Sequence, residues 1–237
     1  MSRSRDEAAQ SEPVATAPDD APAPRNRRRG WGRPPIAFFV ALILLAGLLG
    51  FLVGQRDGES YNDVDVGFLA DMTVHHEGAI SLGFDYLRNE HDPLVGHFAR
   101  EIVFLQAQQI ATMNSLLEDA GDPERASDDI AMDWMGNPVA SARMPGLATE
   151  AEFAELRAAQ GLAADEVFTR LMLRHHAAGA AMAAYAAEHG SNHTVRELAS
   201  SMATVQRLEI TELQQRRTAL GLPAVDTADV ELHTTHR

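Results

Sequence analysis

Two eleven-residue stretches of the sequence place a methionine and two adjacent histidines inside apolar helical runs. The first, ADMTVHHEGAI, covers residues 70–80, and the second, RLMLRHHAAGA, covers residues 170–180. In a helix, Met72 lies one turn before both His75 and His76, so a thioether and an imidazole can face the same point. Such a pair of donors can bind a metal ion, and the second stretch repeats the arrangement.

The second copy carries the same residue types at Met172, His175 and His176 and adds Met182, two turns beyond His175 on the same stripe. Adjacent side chains point about 100° apart on a helix, so each histidine pair serves two directions. One ring can enter the seam of a helical bundle while the other meets a partner element.

These side chains favour a soft or borderline metal ion. Imidazole and thioether donors without thiolate suit copper above the other metals available to a cell envelope, and the chain contains no cysteine. A thioether has no proton to lose, so it still binds Cu(I) at mildly acid pH, where ligation by histidine weakens.

A structural interpretation stays open beside the metal site. Methionine fills irregular gaps in protein cores, and a histidine on an apolar stripe is often a hydrogen-bonded core residue. However, burying two imidazoles at equivalent positions of two copies costs desolvation that packing alone does not require. The paired motif therefore favours a metal site.

The sequence argues against several other chemistries. Di-iron bundles need Glu-x-x-His motifs, and no histidine here has a glutamate three residues before it. The His-Glu-x-x-His motif of zinc proteases is absent. No nucleophile with a positioned base is recognisable, so an enzymatic activity is the least favoured interpretation.

The chain repeats itself at a spacing of 100 residues, which aligns residues 65–123 with 165–223 without a gap. Within each copy, apolar positions recur at spacings of three and four, as in a helix that faces a core. The two stripes are Phe68, Met72, His75, Ala79, Leu82 and Tyr86, and Phe168, Met172, His175, Gly179, Met182 and Ala186.

A second helix follows the stripe in each copy. Asp92 and Asn192 are typical N-caps, and they predict helices over about 93–120 and 193–220. A Gly-x-Pro sequence then prevents continuation of each helix. Each copy is therefore an antiparallel helical hairpin, and two hairpins make a four-helix bundle. Because strand signals are absent, the predicted fold class is all-α.

The amino-terminal part of the chain predicts a membrane anchor. Residues 36–54 run without a charge, which matches the thickness of a bilayer core. Several arginines precede this segment, so the following domain should lie outside the cytoplasm. A cleaved signal peptide is the alternative, although the apolar segment is longer than such peptides usually have.

The remaining boundaries follow from composition. Residues 1–35 predict a disordered cytoplasmic tail, and the net charge of −14 disfavours binding to nucleic acid. A capping box at residues 149–152 predicts one short helix in the central linker. The predicted segments are a linker at 55–62, the bundle at 63–223 with repeats 63–121 and 162–221 around a linker at 122–161, and a flexible tail at 224–237.

These motifs resemble the bacterial family called domain of unknown function 305. The resemblance rests on FLADMTVHHEGAI, on FTRLMLRHHAAGAAMA and on the linker MPGLATEAEFAELRAAQG, in the family's order. It implies a ferritin-like bundle in the cell envelope, where some relatives are periplasmic copper binders. Carried over residue by residue, it implies the metal ligands Met72, His75, His76, Met172, His175, His176 and Met182. The family pattern often has methionine where Leu82 and Leu213 stand.

Together these observations predict a single-pass membrane protein whose extracytoplasmic bundle binds a copper ion for sequestration or delivery. The alternative is a structural or partner-binding bundle whose histidine pairs hydrogen-bond in the core without a metal. A homodimer and an envelope protein that exchanges metal with this one both stay open as partners.

Overall fold

The computed structural model describes residues 60–123 and 129–227, which are called the described residues below. Their regular structure is almost entirely helical, so the all-α prediction is confirmed. The helices are α1 (Asp63–Leu87), α2 (Pro93–Ala120), α3 (Glu150–Ala158), α4 (Leu162–His189) and α5 (His193–Ala219).

The four long helices form two hairpins whose first helices meet in the middle. Helix α1 packs along α2, helix α4 packs along α5, and α1 also packs against α4. All side chains of the two predicted stripes are buried. The apolar stripes therefore face one another across the junction of α1 and α4, which is the arrangement that removes both from water.

The helix ends follow the capping residues in the sequence. Asp92 accepts hydrogen bonds from backbone N–H groups of the first turn of α2, and Asn192 does the same for α5. Thr149 and Glu152 form the predicted capping box at the start of α3. Helix α2 ends at Gly121, whose φ of 81° lies in the left-handed region that glycine adopts without a steric penalty.

The linker between the hairpins is more structured than the sequence indicates. It contains two antiparallel strands of two residues each, β1 (Ile130–Ala131) and β2 (Val139–Ala140). Single 3-10 turns follow at Asp133–Met135 and Ser141–Arg143. Strands of two residues are too short to show an alternating pattern of apolar and polar residues, so the sequence does not predict them.

Two buried aspartates join the hairpins to each other. Asp65 on α1 accepts hydrogen bonds at 3.0 Å from the backbone N–H groups of Ser191 and Asn192, at the start of α5. In the other copy, Asp165 on α4 accepts one at 3.0 Å from the backbone N–H of Asp92, at the start of α2. Each hairpin therefore caps the second helix of the other one.

No helix of the described residues is long and apolar enough to cross a membrane. The predicted tail at 1–35 and the predicted anchor at 36–54 lie outside the described residues.

Replacing Asp65 by alanine should destabilise the bundle by about 3 kcal/mol, because the mutation leaves several buried N–H donors without an acceptor. Asp63 lies in the same first turn but is exposed, so Asp63→Ala should cost less than about 1 kcal/mol. Urea denaturation followed by circular dichroism measures both changes. Equal losses in the two variants would contradict the cross-capping role.

Candidate metal centre

The structure brings both histidine pairs together where α1 meets α4. All four side chains are 0 % exposed. The rings of His75 and His175 are stacked, with centroids 3.8 Å apart and an angle of 24° between their planes. His75, His76 and His175 can each offer a ring nitrogen, and these three atoms lie within 4.8 Å of one another. This spacing suits the coordination of one metal ion.

Within each pair the two rings point in different directions, as predicted. His75 reaches across to the other hairpin, whereas Nε2 of His76 lies 2.7 Å from Oε1 of Gln109 on α2, in its own hairpin. In the second copy, Nε2 of His176 lies 2.8 Å from Oε2 of Glu209 on α5, as an ion-pair contact. Each pair thus has one ring at the centre and one ring held by the adjacent helix.

Acceptor groups around the centre determine which ring nitrogens are available. Nε2 of His75 lies 3.2 Å from the carbonyl oxygen of Pro145, which can only accept a hydrogen bond. Oε1 of Gln109 is likewise an acceptor for His76. In both neutral rings the proton is therefore on Nε2, and the lone pair is on Nδ1.

These Nδ1 atoms are buried and have no hydrogen-bond partner. Neither ring nitrogen of His175 or of His176 makes an aligned hydrogen bond, although Nε2 of His176 lies 2.8 Å from Glu209. Buried polar atoms are nearly always paired, so a cluster of unpaired ring nitrogens marks a candidate site for a ligand. Histidines that bind metals typically donate their other N–H to an oxygen acceptor, as His75 and His76 do to Pro145 and Gln109.

The surroundings also keep the rings neutral. Burial lowers the pKa of His75 to about 3, with a further contribution from the neighbouring His76. Burial lowers the pKa of His76 to about 4. For His175, burial and the facing imidazole of His75 lower the pKa well below its usual value. Neutral imidazole is the form that binds a metal ion, so no proton has to leave these three rings first.

The predicted methionine ligands are buried in two different core clusters. Met72 and Met182 belong to one core cluster, which we call the Met-rich cluster, and Met172 belongs to the other, which we call the Leu-rich cluster. Seven of the nine methionines of the chain lie in the Met-rich cluster: Met72, Met113, Met132, Met135, Met144, Met182 and Met202.

The repeat shows how unequal these two clusters are. Around Met72 the Met-rich cluster contains Met113, Met182 and Met202. The equivalent positions around Met172 are Leu213, Leu82 and Ile102, all in the Leu-rich cluster. The two departures from the family pattern therefore fall in the same cluster, and thioether donors are concentrated in the cluster of Met72.

The linker closes the centre from outside. Gly146 has a φ of 85°, and a Cβ atom on it would lie 3.0 Å from Nε2 of His75, 3.1 Å from Cα of His175 and 2.8 Å from Cβ of Ala178. Only glycine permits both this backbone conformation and this approach. The Met-Pro-Gly sequence therefore helps to form the site, because it places the Pro145 carbonyl oxygen 3.2 Å from Nε2 of His75.

Sequence reasoning missed some residues at the site and assigned others differently. Gln109 and Glu209 were not recognised, although the repeat aligns them directly. Asp71 lies one helical turn before His75, but it accepts hydrogen bonds from the backbone N–H of Met132 and from Nε1 of Trp134. It therefore positions the linker and not the ring, because the linker folds back over α1.

The fold and the site define a bundle of two repeated helical hairpins around a buried histidine centre. The chain belongs to the DUF305 family, "Domain of unknown function", whose sequence profile matches residues 65–217. The resemblance seen in the sequence is thus confirmed.

Several solved structures are similar to this chain. A DUF305 protein of Streptomyces coelicolor, named as secreted, is 31% identical, with 69% of this chain and 97% of that chain covered and a TM-score of 0.63. A DUF305 fragment from Deinococcus radiodurans is 29% identical, with 68% and 98% covered and a TM-score of 0.56. CopM in its Cu(I)-bound form is 23% identical, with 65% and 96% covered and a TM-score of 0.49. A search of curated proteins gave no match.

Substituting Gly146 by alanine should distort the stacked histidines and destabilise the protein. Gly136 also has a positive φ, of 74°, but a Cβ atom there would meet nothing within 4 Å, so Gly136→Ala isolates the backbone strain of about 1 kcal/mol. We expect Gly146→Ala to cost roughly 2 kcal/mol more because of the added contacts. Thermal unfolding of the two variants measures the difference, and similar melting temperatures would show that the linker does not press on the rings.

Proposed function

We propose that this protein binds copper, preferably as Cu(I), in the extracytoplasmic space and sequesters it or delivers it to another protein. The observation that carries the proposal is the set of buried Nδ1 atoms without partners. A purely structural core would be expected to pair these atoms, because an unpaired buried polar group costs about 1–3 kcal/mol.

The residues present fit a copper ion chemically. His75, His76 and His175 would supply the nitrogen donors, whose spacing suits one ion. The ring of His176 lies beside that of His175, with centroids 5.9 Å apart, and would bind a second ion or support the first from outside the group of three. A copper ion would supply no reaction here, since its role is that of cargo.

The methionines support the choice of a soft, monovalent ion. Met72 precedes His75 and His76 by one helical turn, and Met182 lies in the same core cluster as Met72. Thioethers bind Cu(I) well and bind hard divalent ions such as Mg²⁺ poorly. The Met-rich cluster therefore favours Cu(I), with Met72 and Met182 ahead of Met172 as ligands.

The sequence and one relative support a location outside the cytoplasm. The charge-free segment 36–54, preceded by arginines, would anchor the chain with the bundle on the outer side. The similar Streptomyces coelicolor protein is named as secreted. Both features suit a copper-handling protein of the cell envelope, where a chain without cysteine binds metal through histidine and methionine.

Copper binding can be tested by titrating the full chain, purified in detergent, with Cu(I) against a competing chelator. The double variant His75→Gln, His175→Gln should lose at least about tenfold in affinity, which corresponds to 1.4 kcal/mol. The matched control replaces His97 and His193, whose side chains are 53 % and 48 % exposed.

The same titration separates the proposal from a structural bundle without metal. A ligand that binds only the folded state stabilises it by about 2.7 kcal/mol at one hundred times its dissociation constant. Copper should therefore raise the melting temperature of the native protein and of the surface control. If copper leaves the melting temperature unchanged in all proteins, the bundle is structural.

The unequal methionine clusters generate a second prediction. Met72→Leu should weaken binding of Cu(I) more than Met172→Leu, because only Met72 has further thioethers in its cluster. A methionine-to-leucine change nearly conserves volume and usually costs less than about 1.5 kcal/mol of stability. Affinities from chelator competition give the comparison, and equal effects at the two positions would show that the clusters do not distinguish them.

A further inference from the structure

The two halves of the histidine centre differ in one charged group. On α2, Gln109 holds His76 through a neutral amide, with Oε1 at 2.7 Å from Nε2. At the equivalent position on α5, Glu209 holds His176 through a carboxylate at 2.8 Å. Gln109 is 6% exposed and Glu209 is 8% exposed, so both contacts are shielded from water. The repeat is therefore symmetric in geometry and asymmetric in charge.

The negative charge of Glu209 determines how much positive charge of a bound ion the surroundings of the centre can neutralise. A metal ion is bound by neutral imidazole, so a negative charge beside the three rings that could hold an ion comes from Glu209, which contacts the neighbouring His176. A monovalent ion would leave the ion, the rings and Glu209 with no net charge. A divalent ion would leave one uncompensated positive charge in the core, and burying such a charge is costly.

We propose that Glu209 is a specificity-determining residue, which sets the histidine centre to hold one positive charge and so to prefer a monovalent soft ion over a divalent one. This inference rests on the proposed function and adds a cause for its preference that is independent of the thioethers. Glu209 would do so through its charge and not as a ligand, because it contacts Nε2 of His176 and none of the three rings that could hold the ion.

The other charged groups near Glu209 lie on the outer helices. Glu101 on α2 faces Glu209 and Glu212, and its carboxylate contacts Nε2 of His97 at 2.9 Å. The side chain of His97 is half exposed, so the contact between His97 and Glu101 lies nearer to solvent than Glu209 does. Of the carboxylates in this group, Glu101 contacts His97 near the surface, whereas Glu209 contacts His176 in the core. Glu209 is therefore placed to act as a counter-charge for the centre.

The repeat provides matched variants that change the number or the position of the carboxylates at the two equivalent positions 109 and 209 beside the histidines. Glu209→Gln gives none, the native chain has one, and Gln109→Glu gives two. The double variant Glu209→Gln, Gln109→Glu keeps one and moves it to the other half. Each full-chain protein is titrated with Ag(I), a monovalent probe that is stable to oxidation, and with Zn²⁺, both against competing chelators.

We expect Glu209→Gln to lower the affinity for Ag(I) about tenfold or more, as loss of a nearby charge in a partly shielded site predicts. Gln109→Glu should raise the ratio of Zn²⁺ affinity to Ag(I) affinity about tenfold or more, by the same reasoning. The double variant should bind Ag(I) nearly as well as the native chain, because it contains the same number of carboxylates.

Helicity and melting temperature without metal are measured for every variant. The proposal is overturned if Gln109→Glu leaves the affinity ratio unchanged, or if the double variant is as weak as Glu209→Gln. A native chain that binds neither Ag(I) nor Cu(I) refutes the proposed function itself. A native chain that binds both, with variants that do not change the ratio, refutes only the role of Glu209.

Discussion

Everything at the centre of this protein depends on burying four imidazoles in an apolar core. Taking a histidine ring out of water is tolerated when the ring is neutral and when its N–H has an acceptor. The Pro145 carbonyl and the Gln109 amide supply such acceptors to His75 and His76, and the Glu209 carboxylate lies 2.8 Å from His176. The Nδ1 lone pairs of His75 and His76 stay unpaired, and in the proposed function these are the atoms that bind the ion.

The position of the rings depends in turn on how the hairpins are held together. Helices α1 and α4 could slide past each other if only apolar contacts joined them, because such contacts have no direction. The reciprocal bonds of Asp65 and Asp165 to the starts of α5 and α2 fix the register. The stack of His75 on His175 is a consequence of that register.

The repeat then departs from symmetry in three ways, each with a physical meaning. The linker strands and Trp134 pack on the Met-rich cluster, whereas Leu156 of α3 packs on the Leu-rich one. Thioethers are concentrated in the first cluster, and the buried carboxylate Glu209 belongs to the second copy. Two nearly equal hairpins thus build one centre whose donors and charge are unequally distributed, which suits a single ion of defined softness and charge.

The sequence by itself determined the helices, their caps and the buried stripes, because these follow from local periodicity and from capping residues such as Asp92 and Thr149. The sequence also predicted the residues of the two Met-His-His motifs as candidate metal ligands, because the two copies of a repeat are expected to occupy equivalent positions in a bundle. Only the tertiary structure decided which rings meet, that Met72 and Met172 lie in different core clusters, and that Gln109, Glu209 and Gly146 lie next to the histidines. Those facts depend on the register between hairpins and on the path of the linker, which are set by contacts between residues far apart in the chain and leave no local pattern in it.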